Sequence, residues 1–185
     1  MELILIRHSE ILNPDKLCYG QTEMPLTSTF EVEAKLILGK CVAFNSHKIY
    51  ASPALRCTIL AEKFDRSFDI EPRLYEMAFG EWEGIAWDKI AQEPLLAWMD
   101  NFVVNKVPSG ESYLELQSRV LEFIAELNQF SGGKYLLISH AGPIRALIST
   151  LLNISLYDSF NLTVSYGDIF KLEIIEGLQP ILTYL

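Results

Sequence analysis

A chain of 185 residues, half of them apolar, with a formal net charge of −9 has material for one buried core, expected as a single domain over 1–185, and is repelled at long range by nucleic acid and anionic lipid. Its apolar runs fall far short of the ~20 residues of a membrane helix, and Arg7 and His8 arrive too early for a signal peptide, so a cytoplasmic protein is expected. Three cysteines, Cys18, Cys41 and Cys57, without paired spacing indicate neither a disulfide framework nor a zinc ribbon, and any anionic ligand must find a locally basic pocket.

Glu2-Leu3-Ile4-Leu5-Ile6 reads as a central strand buried on both faces, and Tyr135-Leu136-Leu137-Ile138-Ser139 repeats the pattern. Each run ends at a histidine, His8 and His140. After an irregular stretch over 13–25, Ser28-Thr29-Phe30-Glu31 predicts a capping box opening a helix to about Lys40. Lys48-Ile49-Tyr50-Ala51 predicts a strand. Ser52-Pro53 then predicts an N-cap and first-turn proline, followed by a helix with Leu55, Ile59, Leu60 and Phe64 as its apolar stripe. Residues 72–110 hold all three tryptophans and predict a strand, a short helix and long connections. A second capping box over 112–115 opens a helix with Leu116, Val120, Phe123, Ile124 and Leu127 inward, stopped by Ser131-Gly132-Gly133. Gly142-Pro143 starts another, carrying Ile144, Leu147, Ile148, Leu151 and Leu152. Strands near 168–174 and 181–185 close an α/β three-layer sandwich, its sheet mostly parallel with helices on both faces.

Strand-to-helix junctions converge at the carboxyl ends of an open α/β sheet, so Arg7-His8, 52–56 and 140–143 are expected to meet. Two of these junctions also bring helix N-termini, which favour anions. Arg7 and Arg56 can grip phosphate oxygens with charge-assisted hydrogen bonds. A neutral imidazole is a competent nucleophile toward phosphorus without any cofactor or metal, which assigns that task to His8. His140, if protonated, would stabilise the equatorial oxygens. A proton donor for the leaving oxygen is sought among the carboxylates of 74–84, and Glu76 is chosen, with Glu81 and Glu83 read as solvated charges. His47 is expected on the surface, and Cys18 as a bystander thiol.

Arg7-His8, Ser52-Pro53-Ala54-Leu55-Arg56-Cys57, Glu76 with Phe79-Gly80-Glu81-Trp82-Glu83-Gly84, Gly110-Glu111-Ser112 and Ser139-His140-Ala141-Gly142-Pro143-Ile144-Arg145 resemble, in order and spacing, the motifs of the phosphoglycerate mutase-like histidine phosphatase superfamily. The resemblance implies a phosphohistidine at His8, a phosphate pocket of Arg7, Arg56 and His140, Glu76 as proton donor and acceptor, and substrate contacts at Asn13, Gln21 and Ala141. The loop Cys18-Tyr19-Gly20-Gln21-Thr22-Glu23-Met24-Pro25-Leu26-Thr27 is most similar to that of bacterial alpha-ribazole phosphatases. That similarity implies a small phosphomonoester of cobalamin assembly, alpha-ribazole 5'-phosphate, as substrate. The family usually carries glycine after the nucleophile and at the position of Phe30, where this chain has Ser9 and a phenylalanine.

Other classes fit less well. A cysteine-dependent phosphatase needs arginine six residues beyond its cysteine, where this chain has Met24, His47 and Lys63. No His-Glu-x-x-His motif suggests a metallohydrolase. A phosphoglycerate mutase-type phosphotransferase would share the pocket but generally carries a longer segment before Gly110. A non-catalytic phosphate-binding module would not need His8, His140 and Glu76 together.

Overall fold

The computed structural model describes residues 1–129 and 132–185. Ser131, the first residue of the expected helix stop, lies outside them. Strand β1 (Glu2–Arg7) pairs in parallel with β4 (Lys134–Ser139) on one side and antiparallel with β5 (Ile169–Glu173) on the other. With β2 (Lys48–Ala51), β3 (Phe68–Ile70) and β6 (Ile181–Tyr184), the sheet order is β3-β2-β4-β1-β5-β6. The first four are mutually parallel, and the two C-terminal strands supply the antiparallel edge.

Unbroken apolar runs make β1 and β4 central because both of their faces are covered. Leu3, Leu5 and Leu137 join a core under α4 (Tyr113–Asn128) and α5 (Ala141–Leu151). Ile4, Ile6, Leu136 and Ile138 point the other way, beneath α1 (Phe30–Cys41) and α2 (Leu55–Glu62). Each such side chain, essentially removed from water, contributes roughly 1.5–3 kcal/mol. The five inward positions expected of α4 are all buried, and its capping box forms, with Ser112 Oγ accepting from Glu115 N at 3.2 Å and Glu115 Oε2 from Ser112 N at 2.9 Å.

Three local expectations fail for identifiable reasons. Thr29 flanks α1 with helical rather than extended backbone angles, so its hydroxyl donates to the Glu33 carboxylate at 2.5 Å and no side chain caps the helix. Helix α2 starts at Leu55 rather than Pro53, because Ala54 has extended backbone angles; Ser52 Oγ accepts from Ala54 N at 3.4 Å and lies 2.7 Å from His140 Nε2. Its buried face is Arg56, Cys57, Leu60 and Ala61, leaving Leu55 exposed. Residues 72–110 contain no strand. They form one-turn 3-10 helices at Pro72–Leu74, Gly80–Trp82 and Trp87–Lys89, followed by α3 (Gln92–Asp100). Among the described residues, no helix is long and apolar enough to cross a membrane.

Candidate active site

Register brings the site together. Arg7 stands opposite Ser139 and Ala51 opposite Ile138, so His8, His140 and Ser52 are each the first residue past three adjacent parallel strands. The ladder runs one step further, with His8 N donating to Ser139 O at 3.1 Å and Ser52 N to Ile138 O at 2.9 Å. The two imidazoles consequently meet edge to face, their centroids 5.1 Å apart.

His8 is buried, and its Nδ1 lies 2.7 Å from the carbonyl oxygen of Ser9. A carbonyl only accepts, so Nδ1 carries the proton and the neutral ring keeps its lone pair on Nε2. Burial first, then the charges of Arg56 and Arg7, push the His8 pKa well below the histidine range. His140 is depressed in the same direction by burial, His8, Arg56 and Arg7, which disfavours the protonated ring on which its sequence-based role is conditional. Its Nδ1 accepts from Arg56 Nε at 3.4 Å, leaving Nε2–H to donate to Ser52 Oγ at 2.7 Å. Ser9, where the family carries glycine, is fully buried, and its hydroxyl has no partner among the described residues.

The arginines are anchored by neutral groups. Arg56, completely buried, donates through Nη1 to Thr22 O at 3.0 Å and through Nη2 to Gly20 O at 2.6 Å. Arg7 donates to Val164 O at 2.6 Å and lies 3.8 Å over the Tyr166 ring. Arg145, one turn into α5, donates to Leu162 O at 3.0 Å. Among the described residues, none of the three makes an ion pair. Their charge remains available to an anion, which supplies the basic pocket that an acidic chain requires.

Glu76 sits at the start of α5, with Oε2 accepting from Gly142 N at 3.2 Å and Oε1 from Met77 N at 2.9 Å. Glu23 does the same for α2, both of its oxygens 3.1 Å from Leu55 N. The two helix N-termini expected to face an anion are therefore occupied by carboxylates. Gln21 reaches the pocket wall, its Nε2 donating to Glu76 O at 3.2 Å, and Ala141 is buried as the first residue of α5. Asn13 spends its side chain on the backbone of Leu17, at 2.9 and 2.8 Å. It lines a neighbouring cleft of about 520 Å³.

Glu81 and His47 are exposed, but Glu83 is no solvated charge: it accepts hydrogen bonds from Gln21, Thr22 and Phe79. Burial pushes the Cys18 and Cys57 thiols up to about 12, so neither is a reactive thiolate. Tyr19 and Tyr166, their hydroxyls 3.0 Å apart, close the pocket over Arg56 and Arg7 and were not anticipated. Arg145 could have been, since it lies one helical turn beyond Ala141.

The family model of the histidine phosphatase superfamily (branch 1) matches residues 3–184. The chain belongs to that superfamily. This histidine phosphatase is 30% identical to the adenosylcobalamin/alpha-ribazole phosphatase of Salmonella typhimurium, over 98% of this chain and 94% of that one. It is 27% identical to a Hydrogenobacter thermophilus protein named "Putative phosphoserine phosphatase 2", over 99% and 94%. The crystal structure of the alpha-ribazole phosphatase from Shigella flexneri superposes with a TM-score of 0.90 at 27% identity, covering 100% of this histidine phosphatase and 96% of that chain.

Proposed function

We propose that the chain hydrolyses a small phosphomonoester through a phosphohistidine, and that the ester is alpha-ribazole 5'-phosphate. The observation that carries the chemistry is the His8 Nδ1 bond to Ser9 O: it leaves Nε2 unprotonated in a ring held neutral by burial and by two arginines. In the first step Nε2 attacks phosphorus, Glu76 gives its proton to the leaving oxygen, and the equatorial oxygens are taken by Arg7, Arg56 and His140, whose single Nε2–H turns from Ser52 Oγ to the ligand. In the second, Glu76 removes a proton from water, which attacks the phosphohistidine and restores both groups while releasing phosphate. The whole chain, 1–185, acts as one domain in this reading.

The substrate rests on the similarity to alpha-ribazole phosphatases and on the neighbouring cleft. Ile11, Leu12, Tyr19, Trp87 and Tyr166 give it apolar and aromatic walls, with Glu10 and Lys16 as its charged residues. A planar base suits such walls. The ammonium and carboxylate of phosphoserine, or the carboxylate of phosphoglycerate, would leave most of them unused.

His8→Ala should abolish turnover, and the native enzyme should form an acid-labile phosphoenzyme. Retained hydrolysis by the variant would overturn the mechanism. A comparison of kcat/KM among alpha-ribazole 5'-phosphate, phosphoserine and 3-phosphoglycerate decides the substrate, a preference for either of the last two overturning that part alone.

A further inference from the structure

Glu83 lies in the turn after Gly80–Trp82, half-buried, and makes no ion pair among the described residues. Its carboxylate is nevertheless crowded with donors. Oε1 accepts from Gln21 N at 2.8 Å and Phe79 N at 3.1 Å, and Oε2 accepts from Thr22 N at 2.5 Å and from the Thr22 hydroxyl. Four acceptor contacts of this kind saturate a carboxylate and exploit its charge, since hydrogen bonds to an ionised group are about twice as strong as neutral ones.

The residues so gripped are those that hold Arg56. The carbonyls of Gly20 and Thr22, on either side of Gln21, are the acceptors for its two terminal nitrogens. Gly20 has room for no side chain, as a Cβ there would lie 2.3 Å from Met77 O and 2.6 Å from Glu83 Oε1, and its φ of +21° lies at the edge of the left-handed region. The turn therefore packs directly on the carboxylate. A carboxylate paired with the guanidinium itself would have spent the charge that a phosphate needs. Placed on the far side of the loop, it orients the carbonyls and leaves that charge free.

We propose that Glu83 is a positioning residue for phosphate, acting through the 20–22 loop to aim the Arg56 guanidinium. The inference rests on Arg56 belonging to the phosphate pocket, as the proposed function has it. It does not rest on His8 being the nucleophile, so the test uses equilibrium binding of inorganic phosphate rather than turnover.

Phosphate affinity is measured by calorimetry for the native chain, Glu83→Gln, Arg56→Ala and the double variant, with the unfolding midpoint followed in parallel. Glutamine keeps the shape but turns an N–H donor toward donors at one of the two oxygen positions. Glu83→Gln should weaken phosphate about tenfold in the native background and less than twofold once Arg56 is alanine. Losses that simply add, or a change under twofold in the native background, would overturn the proposal. Should Glu83→Gln fail to fold, Thr22→Val removes only the hydroxyl donor. It should weaken phosphate about twofold with Arg56 present and not without it, and equal losses in the two backgrounds would be as damaging.

Discussion

Along the carboxyl ends of β1, β2 and β4, His8, Ser52 and His140 inherit their positions from strand register and ladder hydrogen bonds. Across the pocket, Gly20, Thr22 and Glu76 sit in loops with no such ladder, and carboxylates do the fixing. Glu83 holds 21–22, Glu23 holds the start of α2, and Glu111 accepts from Ala78 N at 2.9 Å while pairing with Arg119, which in turn donates to Glu76 O at 3.1 Å. The proposed nucleophile is thus placed by the fold itself. The proposed arginine grip and acid–base group depend on a second set of contacts that can be altered with the sheet intact.

The largest effect should come from the strand side. His140→Ala removes the group between Arg56 and Ser52, leaving Arg56 Nε and Ser52 Oγ without their partner in a buried site. By analogy with removal of one preorganised transition-state donor, kcat should fall by about 10²–10³. Single-turnover kinetics check it. A loss below tenfold would move the burden of charge stabilisation to the loop side.

The same division explains what could be read from the sequence. The apolar runs at 2–6 and 135–139 announce buried strands, and a histidine after each is visible at once. Their meeting follows in outline from the convergence of strand-to-helix junctions, but that β1 and β4 are neighbours in a definite register is recorded in neither run. The face of α2 was misjudged because hydrophobic patterning assumes that buried means apolar, and Arg56 is a fully buried cation. Glu83 was misread for a related reason. Three of its four donors belong to Gln21 and Thr22, about sixty residues earlier, and two of those are backbone amides, which no side-chain pattern records. The capping box over 112–115 formed and that over 28–31 did not, although both have suitable residues, because α1 starts one residue later than that box requires and Thr29, entering it, already has helical backbone angles.

A smaller effect, on stability, tests the electrostatics of the strand side. His8 and His140 both have folded pKa values well below their unfolded 6.5. Below pH 6.5 the unfolded chain takes up two protons that the folded chain refuses, so stability is complete above that pH and lost as pH falls beneath it. At pH 5.5 each histidine should cost about 1.4 kcal/mol, about 3 kcal/mol together. The depressed carboxylates of Glu71 and Glu126 lose their contribution only below about pH 4.5, outside this window. Urea unfolding at pH 7.5 and 5.5 measures the difference, and His140→Gln should remove about half of it. A flat profile would mean that the rings are not held neutral.

The smallest expected change falls where the two sides touch. A Cβ on Gly142 would lie 2.1 Å from Glu76 Oε1, at the far end of a flexible side chain, with Leu116 Cδ1 the next neighbour at 3.2 Å. Gly142→Ala should therefore cost little stability, and alanine in the first turn of α5 can offset that cost by up to about 1 kcal/mol. The carboxyl, however, must leave its place on the Gly142 amide. If that contact aims Glu76 at the leaving oxygen, kcat should fall about tenfold while phosphate affinity, which the proposed function assigns to Arg7 and Arg56, stays within twofold. A matched loss of both would tie the acid–base group to the arginine grip, and the separation between strand-built and carboxylate-built parts of the site would fail at its boundary.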